Sequence, residues 1–149
     1  MKKAIIDANV LLALIDKKDK WHSEARAIAQ ALKERKWNII YLDCVINEVI
    51  SVLGRRFEER KGFQDFTEVI ENLEKLVPEE EIEWLCLNLP NLYGDVVKLV
   101  KEKKGKLNFH DALIALFAKE YNLGYLVSFD KDFDEIEWIT RIKNKEQIE

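Results

Sequence analysis

The chain has 149 residues, of which 48% are hydrophobic and 35% are charged. This composition is typical of a globular protein with a substantial hydrophobic core and excludes an intrinsically disordered chain. The formal net charge of −4 argues against a simple nucleic-acid-binding module, because such modules are usually basic. It is compatible with a nucleic-acid enzyme whose acidic site is neutralised by bound cations.

The sequence predicts a single domain over residues 1–149, because it contains no proline- or glycine-rich linker, no low-complexity segment and no internal repeat. No apolar run approaches the roughly 20 residues that cross a bilayer. Asp7 interrupts the apolar stretch near the N-terminus, so we expect no signal peptide. Cys44 and Cys86 are far apart and form no CxxC motif, which predicts a reduced, cytoplasmic protein.

The first half of the chain alternates short apolar segments with segments whose apolar residues recur at helical spacing. In chain order, it predicts a strand at 4–7, helices at 10–15 and 21–36, a strand at 39–42, a helix that ends near Gly62, and a helix at 63–77. Asp43 is the expected cap of the helix that follows the second strand. Pro78 is expected to stop the helix at 63–77.

The second half predicts a strand at 81–87 with Trp84 facing inward, helices at 89–103 and 109–121, and strands at 125–128 and 137–142. Gly105 is expected to end the first of these helices. Short apolar strands separated by helices predict an α/β fold, with a mainly parallel sheet covered by helices on both faces. In such sheets the active crevice lies beyond the carboxyl ends of the strands, where Asp7 and Asp130 are expected.

Four acidic residues are predicted at strand ends or near helix starts: Asp7, Glu48, Asp111 and Asp130. Most have an ordinary structural explanation when taken alone. Asp7 can cap the helix after it, and Asn108 with Asp111 has the spacing of a capping box. Glu48 lies at the edge of its helix's buried face, where a desolvated carboxylate needs a partner or an ion.

Taken together, these four side chains are expected to converge in one crevice, where their mutual repulsion must be offset by protons or cations. Oxygen ligands without histidine or cysteine suit the hard ions Mg²⁺ and Mn²⁺. Neither His22 nor His110 has a zinc-site spacing to a cysteine. The set therefore points to metal-dependent hydrolysis of a phosphodiester.

Four short motifs occur in a fixed order: DANVLL from Asp7, NEV at 47–49, FHDALIA at 109–115 and LVSFDKDF at 126–133. In their order and spacing they resemble the PIN-domain nucleases, and most of all the VapC-type toxin ribonucleases of toxin–antitoxin pairs. The resemblance implies a three-layer α/β/α sandwich with the activity of a Mg²⁺- or Mn²⁺-dependent endoribonuclease. Its acidic site would consist of Asp7, Glu48, Asp111 and Asp130.

The same resemblance implies supporting residues and partners. Asn9 would support the site by hydrogen bonding, and Ser128 would orient Asp130 or a metal-bound water. Asp132 is a possible auxiliary acid. The family pattern also implies an RNA substrate, a homodimer and a small antitoxin protein as a partner.

An acidic chain needs local basic surface to bind RNA, because neutralisation of phosphate dominates affinity. The candidates are cations near two helix ends: Arg55, Arg56, Arg60, Lys61, Lys104 and Lys106. Their ordinary explanation is a solvated helix end that complements the helix dipole. The four tryptophans are expected in the core or at an interface rather than as base-stacking platforms: Trp21, Trp37, Trp84 and Trp138.

Two other functions stay open at this point. The chain could be an RNA-processing PIN nuclease outside any toxin–antitoxin system. It could also be a non-catalytic binding scaffold with a PIN fold, since a fold does not establish a function. All four acids are retained in the sequence, which argues against the scaffold, and metal-dependent cleavage separates these possibilities.

Overall fold

The computed structural model describes residues 1–60 and 65–149, which form a five-stranded sheet covered by helices. The strands are β1 (Lys3–Ile6), β2 (Asn38–Leu42), β3 (Ile82–Glu83), β4 (Tyr125–Val127) and β5 (Thr140–Ile142). Their order across the sheet is β3-β2-β1-β4-β5, and all four neighbouring pairs are parallel. Ile5 of the central strand pairs with Ile40 on one side and Leu126 on the other.

Six α-helices cover the sheet in the described ranges. They are α1 (Ala8–Ile15), α2 (His22–Glu34), α3 (Asp43–Glu59), α4 (Phe66–Leu76), α5 (Leu89–Glu102) and α6 (Phe109–Glu120). Helices α1 to α4 lie in the connections that step from β1 to β2 to β3, whereas α5 and α6 return across the sheet to β4. Because parallel crossovers are right-handed, these two groups lie on opposite faces. The predicted three-layer α/β/α sandwich with a mainly parallel sheet is confirmed.

The core follows from the apolar patterning of the central elements. Ala4, Ile5 and Ile6 of β1 are buried on both faces of the sheet, as expected of a central parallel strand. Helix α6 is buried along most of its length, because it packs against α5 as well as the sheet. Within residues 1–60 and 65–149, no helix is both long enough and apolar enough to span a membrane.

The structure corrects several sequence-based boundaries. The expected strand at 81–87 is only Ile82–Glu83, because the chain then turns into a short 3₁₀ helix at Cys86–Asn88. Trp84 is half exposed and does not face inward. The last strand is Thr140–Ile142 rather than 137–142.

Asp43 also has a different role from the one expected. It is the first residue of α3, and Leu42 holds the cap position without a side-chain hydrogen bond. The Asp43 carboxylate instead accepts the backbone N–H groups of Cys44 and Cys86, at 2.8 Å each. It therefore ties the start of α3 to the segment that follows β3. The two cysteines are free thiols.

Three expectations fall at the join between α3 and α4. Helix α3 is described to Glu59, and α4 begins at Phe66, where the Asp65 side chain accepts the N–H of Thr67. The expected helix end near Gly62, the expected helix start at residue 63 and the candidate RNA contact Lys61 lie outside the described residues.

Candidate active site

Asp7 occupies the carboxyl end of β1 and caps the helix that follows. Its Oδ1 accepts the backbone N–H of Ala8 at 2.7 Å. Its Oδ2 accepts hydrogen bonds from the Ser128 hydroxyl at 2.6 Å and from the Asn9 amide at 3.0 Å. The side chain is almost fully buried. The helix-capping role of Asp7 is therefore observed, and its role in a metal site stays a prediction.

Ser128 and Asn9 connect the ends of the two neighbouring strands β1 and β4. The buried Ser128 hydroxyl donates to Asp7 and accepts the backbone N–H of Asp130 at 3.0 Å. The Asn9 amide oxygen accepts the N–H of Phe129 at 3.1 Å. Asn9 thus hydrogen-bonds both to Asp7 and to the segment after β4, while its supporting role in a reaction stays a prediction. Ser128 holds the Asp7 carboxylate and the Asp130 backbone, rather than the Asp130 side chain.

Asp111 lies in the first turn of α6 and completes a capping box with Asn108. Asn108 Oδ1 accepts the Asp111 N–H at 2.9 Å, while Asp111 Oδ2 accepts the Asn108 N–H at 3.2 Å. Asp111 is buried, although its Oδ1 accepts no hydrogen bond from the described residues. The capping box therefore uses one of the two carboxylate oxygens and leaves the other without a hydrogen bond from the described residues.

Glu48 and Asp130 are partly buried and less restrained. Glu48 lies one turn into α3 and forms no hydrogen bond with the described part of the chain. Asp130 begins the 3₁₀ turn at Lys131–Glu135, and its Oδ1 accepts the Asp132 N–H at 2.9 Å. Asp132, the possible auxiliary acid, contacts Asp130 through its backbone N–H.

The electrostatics show that the four acids share one region, which we call the carboxylate cluster (Asp7, Glu48, Asp111 and Asp130). Burial raises the pKa of Asp7 to about 6, and the charges of Glu48 and Asp130 add to the rise. Burial also raises the pKa of Asp111 to about 7, with further contributions from the other three acids. The hydrogen bonds from Ser128 and from the Ala8 and Asn108 N–H groups oppose these shifts, but they are outweighed.

No ion pair in residues 1–60 and 65–149 joins a member of the cluster to a lysine or arginine, but the guanidinium of Arg141 is near enough to Asp130 for their charges to interact. The ion pairs in these ranges join Arg56 and Arg60 to Asp16, Arg56 to Asp19, Lys106 to Glu135 and Arg141 to Asp134. None of them includes a member of the cluster. Asp7, Glu48 and Asp111 thus have no ion-pair partner in this part of the chain, whereas Arg141, which donates to the Ser128 carbonyl at 3.2 Å, offsets charge on the Asp130 side.

The model of the PIN domain family matches residues 4–139. The chain belongs to the PIN domain family. The match extends from the first buried residue of β1 almost to β5, so it includes all four members of the carboxylate cluster. The sequence resemblance to PIN-domain nucleases is therefore confirmed at the level of the family.

Three solved structures resemble this PIN domain. VapC20 from Mycobacterium tuberculosis, a Sarcin-Ricin loop cleaving toxin, is 15% identical, with a TM-score of 0.70 over 91% of this chain and 96% of VapC20. VapBC2 from Rickettsia felis, bound to a DNA fragment from their promoter, is 15% identical, with a TM-score of 0.67 over 94% of this chain and 97% of that chain. PAE2754 from Pyrobaculum aerophilum is 23% identical, with a TM-score of 0.62 over 94% of this chain and 83% of that chain.

At these identities the structural likeness establishes the fold alone. None of the curated proteins compared with the chain matches it.

The candidate RNA contacts are not equivalent in this PIN domain. Arg56 and Arg60 both bind the buried carboxylate of Asp16. Lys106 pairs with Glu135. Arg55 and Lys104 are exposed, and Lys104 adopts a positive φ of 53° where α5 ends. The ion-paired cations have structural roles that charge spacing along the sequence did not reveal.

Sequence reasoning also missed a groove beside the cluster, which we call the Trp84 groove. It encloses about 510 Å³ between the first turns of α3, the segment at 82–89 and the start of α6. Its walls include Asn47, Trp84, Phe109 and His110. Trp84 was expected in the core or at an interface, and its position in a predicted strand concealed its exposure.

The other three tryptophans differ in their exposure to solvent. The indole N–H groups of Trp37 and Trp138 donate to backbone carbonyls, as expected of residues at the edge of a core. Trp21 is exposed and stacks on Phe129, with ring centroids 4.8 Å apart and planes 12° from parallel. Trp37 and Trp138 therefore pack on the core as expected, whereas Trp21 and Trp84 lie at the surface, where an interface position stays a prediction.

Proposed function

We propose that this PIN domain is a Mg²⁺- or Mn²⁺-dependent endoribonuclease that hydrolyses RNA at the carboxylate cluster. The observation that supports the proposal is the electrostatic interaction among four acidic side chains near the carboxyl ends of β1 and β4, none of which forms an ion pair with the described residues. Excess negative charge in a buried site requires protons or cations, and a divalent cation would satisfy several carboxylates at once.

The chemistry of the donor set fits a hard cation. Asp111 Oδ1, Asp130 Oδ2 and both Glu48 oxygens accept no hydrogen bond from the described residues, so they are available as ligands. As the side chains are placed, no three of the described His, Cys, Asp and Glu residues are close enough to hold one ion. Shared coordination would therefore require Glu48 and Asp130 to rotate toward Asp7 and Asp111.

The chain's own residues would set up this reaction. Ser128 and Asn9 fix the Asp7 carboxylate from one side, and the Ala8 N–H fixes it from the other. The capping box fixes Asp111 in the same way. A bound Mg²⁺ or Mn²⁺ would supply the positive charge that stabilises the phosphate and acidifies the attacking water. Two hydrogen-bonded acids, Asp7 and Asp111, and two less restrained acids, Glu48 and Asp130, would thus hold the metal beside the reacting phosphate.

We propose a toxin of a toxin–antitoxin pair as the biological role, with a small antitoxin protein as partner and a homodimer as the assembly. The support is the family together with the fold likeness to VapC20 and VapBC2. We also propose a cytoplasmic location, which the two free thiols support.

The test incubates the purified protein with a mixed pool of structured and single-stranded RNAs in Mn²⁺, in Mg²⁺ and in EDTA. A parallel sample carries Asp7→Asn. The proposal predicts cleavage that requires the metal and is lost in the variant. Cleavage that persists in EDTA, or absent cleavage together with absent Mn²⁺ binding, would overturn it and leave Asp7 as a helix cap.

A further inference from the structure

Arg141 of β5 is a nearly buried cation next to the carboxylate cluster. Its side chain is 7% exposed, and its charge interacts with that of Asp130. Its ion-pair partner Asp134 lies at the surface, with a side chain that is 54% exposed. An ion pair with an exposed member contributes little to stability, whereas taking a guanidinium out of water is costly. The ion pair alone therefore does not account for the buried position of Arg141.

The guanidinium of Arg141 holds both ends of one turn at the carboxyl edge of the sheet. Its Nε and Nη2 donate to the two carboxylate oxygens of Asp134 at 2.7 Å each, and its Nη1 donates to the Ser128 carbonyl at 3.2 Å. Ser128 also donates its backbone N–H to the Ile142 carbonyl at 3.1 Å. We call this arrangement the Arg141 clamp (Arg141, Asp134 and the Ser128 carbonyl). It holds the chain on either side of residues 129–133.

Asp130 lies within this clamped turn, and its side chain is less restrained than its backbone. Its Oδ1 accepts the Asp132 N–H, whereas its Oδ2 accepts no hydrogen bond from the described residues. Its backbone N–H donates to the Ser128 hydroxyl, which also donates to Asp7. Groups that hold a metal ligand set its orientation and its affinity for the metal. A clamp on the backbone beside Asp130 is therefore suited to place that carboxylate relative to Asp7.

We propose that Arg141 is a positioning residue for the cation site, because the clamp holds the turn from which the Asp130 carboxylate rotates toward Asp7 and Asp111. The inference rests on the proposed function, in which the carboxylate cluster binds Mg²⁺ or Mn²⁺. Arg141 has two opposing effects on such an ion. Its charge repels a cation near Asp130, whereas its hydrogen bonds place the ligand, and the placement outweighs the repulsion.

Two substitutions at Arg141 separate placement from charge. Arg141→Lys retains the positive charge but cannot form the two-pronged pair with Asp134 together with the Ser128 contact. Arg141→Gln removes the charge as well. A role of charge alone predicts tighter Mn²⁺ binding by Arg141→Gln and unchanged binding by Arg141→Lys. The positioning role predicts that both variants bind Mn²⁺ roughly 10-fold or more weakly than wild type.

Calorimetric titration of Mn²⁺ measures these affinities without requiring RNA cleavage. Asp134→Asn should also weaken binding, and its effect should not add to that of Arg141→Lys, because both changes break the same clamp. The control is Lys143→Gln, which removes an exposed cation that also acts on the charge of Asp134. This control should bind Mn²⁺ as wild type does. Tighter binding by Arg141→Gln, or unchanged binding by both Arg141 variants, would overturn the proposal.

Amide hydrogen exchange in EDTA tests the clamp independently of any metal. The N–H groups of Asp130 and Asp132 are hydrogen-bonded at 3.0 and 2.9 Å. Arg141→Lys should speed their exchange roughly 5- to 30-fold, while the amides of α1 exchange as in wild type. Unchanged exchange at Asp130 and Asp132, or equally faster exchange throughout the sheet, would contradict a local clamp and overturn the proposal.

The two experiments also separate failure of this inference from failure of the proposed function. A wild-type protein that bound no Mn²⁺ would overturn the proposed function and the positioning role with it. A wild-type protein that bound Mn²⁺, with Arg141 variants that bound it equally well, would overturn the positioning role alone.

Discussion

Helix α1 has a buried aspartate at each end, and the two differ in their charged partners and in the direction of their pKa shifts. Asp7 at its N-terminus is 5% exposed, and Asp16 at its C-terminus is 2% exposed. Asp16 binds the guanidinium groups of Arg56 and Arg60, which hold the pKa of its carboxyl below the usual range. Asp7 has only uncharged hydrogen-bond donors, and its pKa is raised to about 6.

The helix dipole makes the contrast sharper. It favours a negative charge at the N-terminus of a helix and disfavours one at the C-terminus. The pKa values of Asp7 and Asp16 run the opposite way, so burial and neighbouring charges outweigh the dipole at both ends. Burial of an acid is therefore a poor guide to function in this protein. The carboxylate cluster is distinguished by mutual repulsion among four acids without an ion pair in the described residues, whereas Asp16 pairs with two arginines.

The largest expected effect comes from Asp111→Asn, which removes a charge from the cluster but retains an oxygen for the Asn108 N–H. RNA cleavage in Mn²⁺ should fall on the order of 100-fold or more, because the variant loses a negative charge that would hold the metal at the reacting phosphate. The free energy of unfolding at pH 8 in EDTA should rise by about 1–2 kcal/mol, since a repelling carboxylate is gone. Kinetics and urea denaturation measure the two effects, with the exposed Asp95→Asn as control. A loss of both activity and stability would contradict this prediction.

The next effect comes from Asp16→Ala, at the paired end of α1. The change leaves Arg56 and Arg60 without their shared partner, and we expect a loss of about 2–3 kcal/mol at pH 7. The value is at the low end of the range for buried pairs because these arginines are 24% and 36% exposed. Since the folded pKa of Asp16 is lowered, its stabilisation is present at neutral pH and lost as the pH falls. The difference from wild type in urea denaturation should therefore shrink in acid, while kcat per folded molecule stays unchanged.

A third comparison follows the pH dependence of the wild-type protein without metal. Asp7 and Asp111 have folded pKa values of about 6 and about 7, above the 3.8 of an ordinary aspartate. The folded state thus binds more protons than the unfolded state between about pH 4 and pH 7, and stability must fall as the pH rises through this window. We expect a loss of roughly 2 kcal/mol between pH 5 and pH 6 in EDTA, to which both carboxyl groups contribute. Thermal unfolding measures it, and saturating Mn²⁺ should reverse it; a rise in EDTA would contradict the assignment.

The smallest effect is expected from Ser128→Ala. The Ser128 hydroxyl stabilises the ionised form of Asp7, so its removal should raise the pKa of that carboxyl further. The acid limb of the pH–rate profile should move upward by about half a pH unit to one unit. The exposed Ser23→Ala is a matched control. An unshifted profile would show that Asp7 does not need to ionise for the reaction.

Local sequence signals were sufficient for the main elements of the fold and for part of the site. The run Ala4–Ile5–Ile6 followed by Asp7 predicts a central strand and a capped helix, and both occur. Asn108 and Asp111 predict a capping box from their spacing alone. These features depend on neighbours three or fewer residues away, which is why pattern reasoning finds them.

Features that depend on distant contacts were not predictable. The segment at 81–87 has the sequence pattern of a strand, but the chain turns into a 3₁₀ helix at Cys86. There the Cys86 N–H donates to the carboxylate of Asp43, 43 residues earlier at the start of α3. Arg56 and Arg60 read as free cations because Asp16 lies far away in sequence. Exposure of Trp84 follows from the same early turn, so the groove beside the cluster could not be anticipated.

The most direct test of the account is a calorimetric titration of Mn²⁺ into the protein at pH 7.5. Wild type and Asp95→Asn are expected to bind Mn²⁺ alike, and Asp111→Asn is expected to bind it at least tenfold more weakly. Equal binding by wild type and Asp111→Asn would contradict the central claim. So would the absence of binding by the folded wild-type protein, because the carboxylate cluster would then be neutralised by protons rather than by a metal.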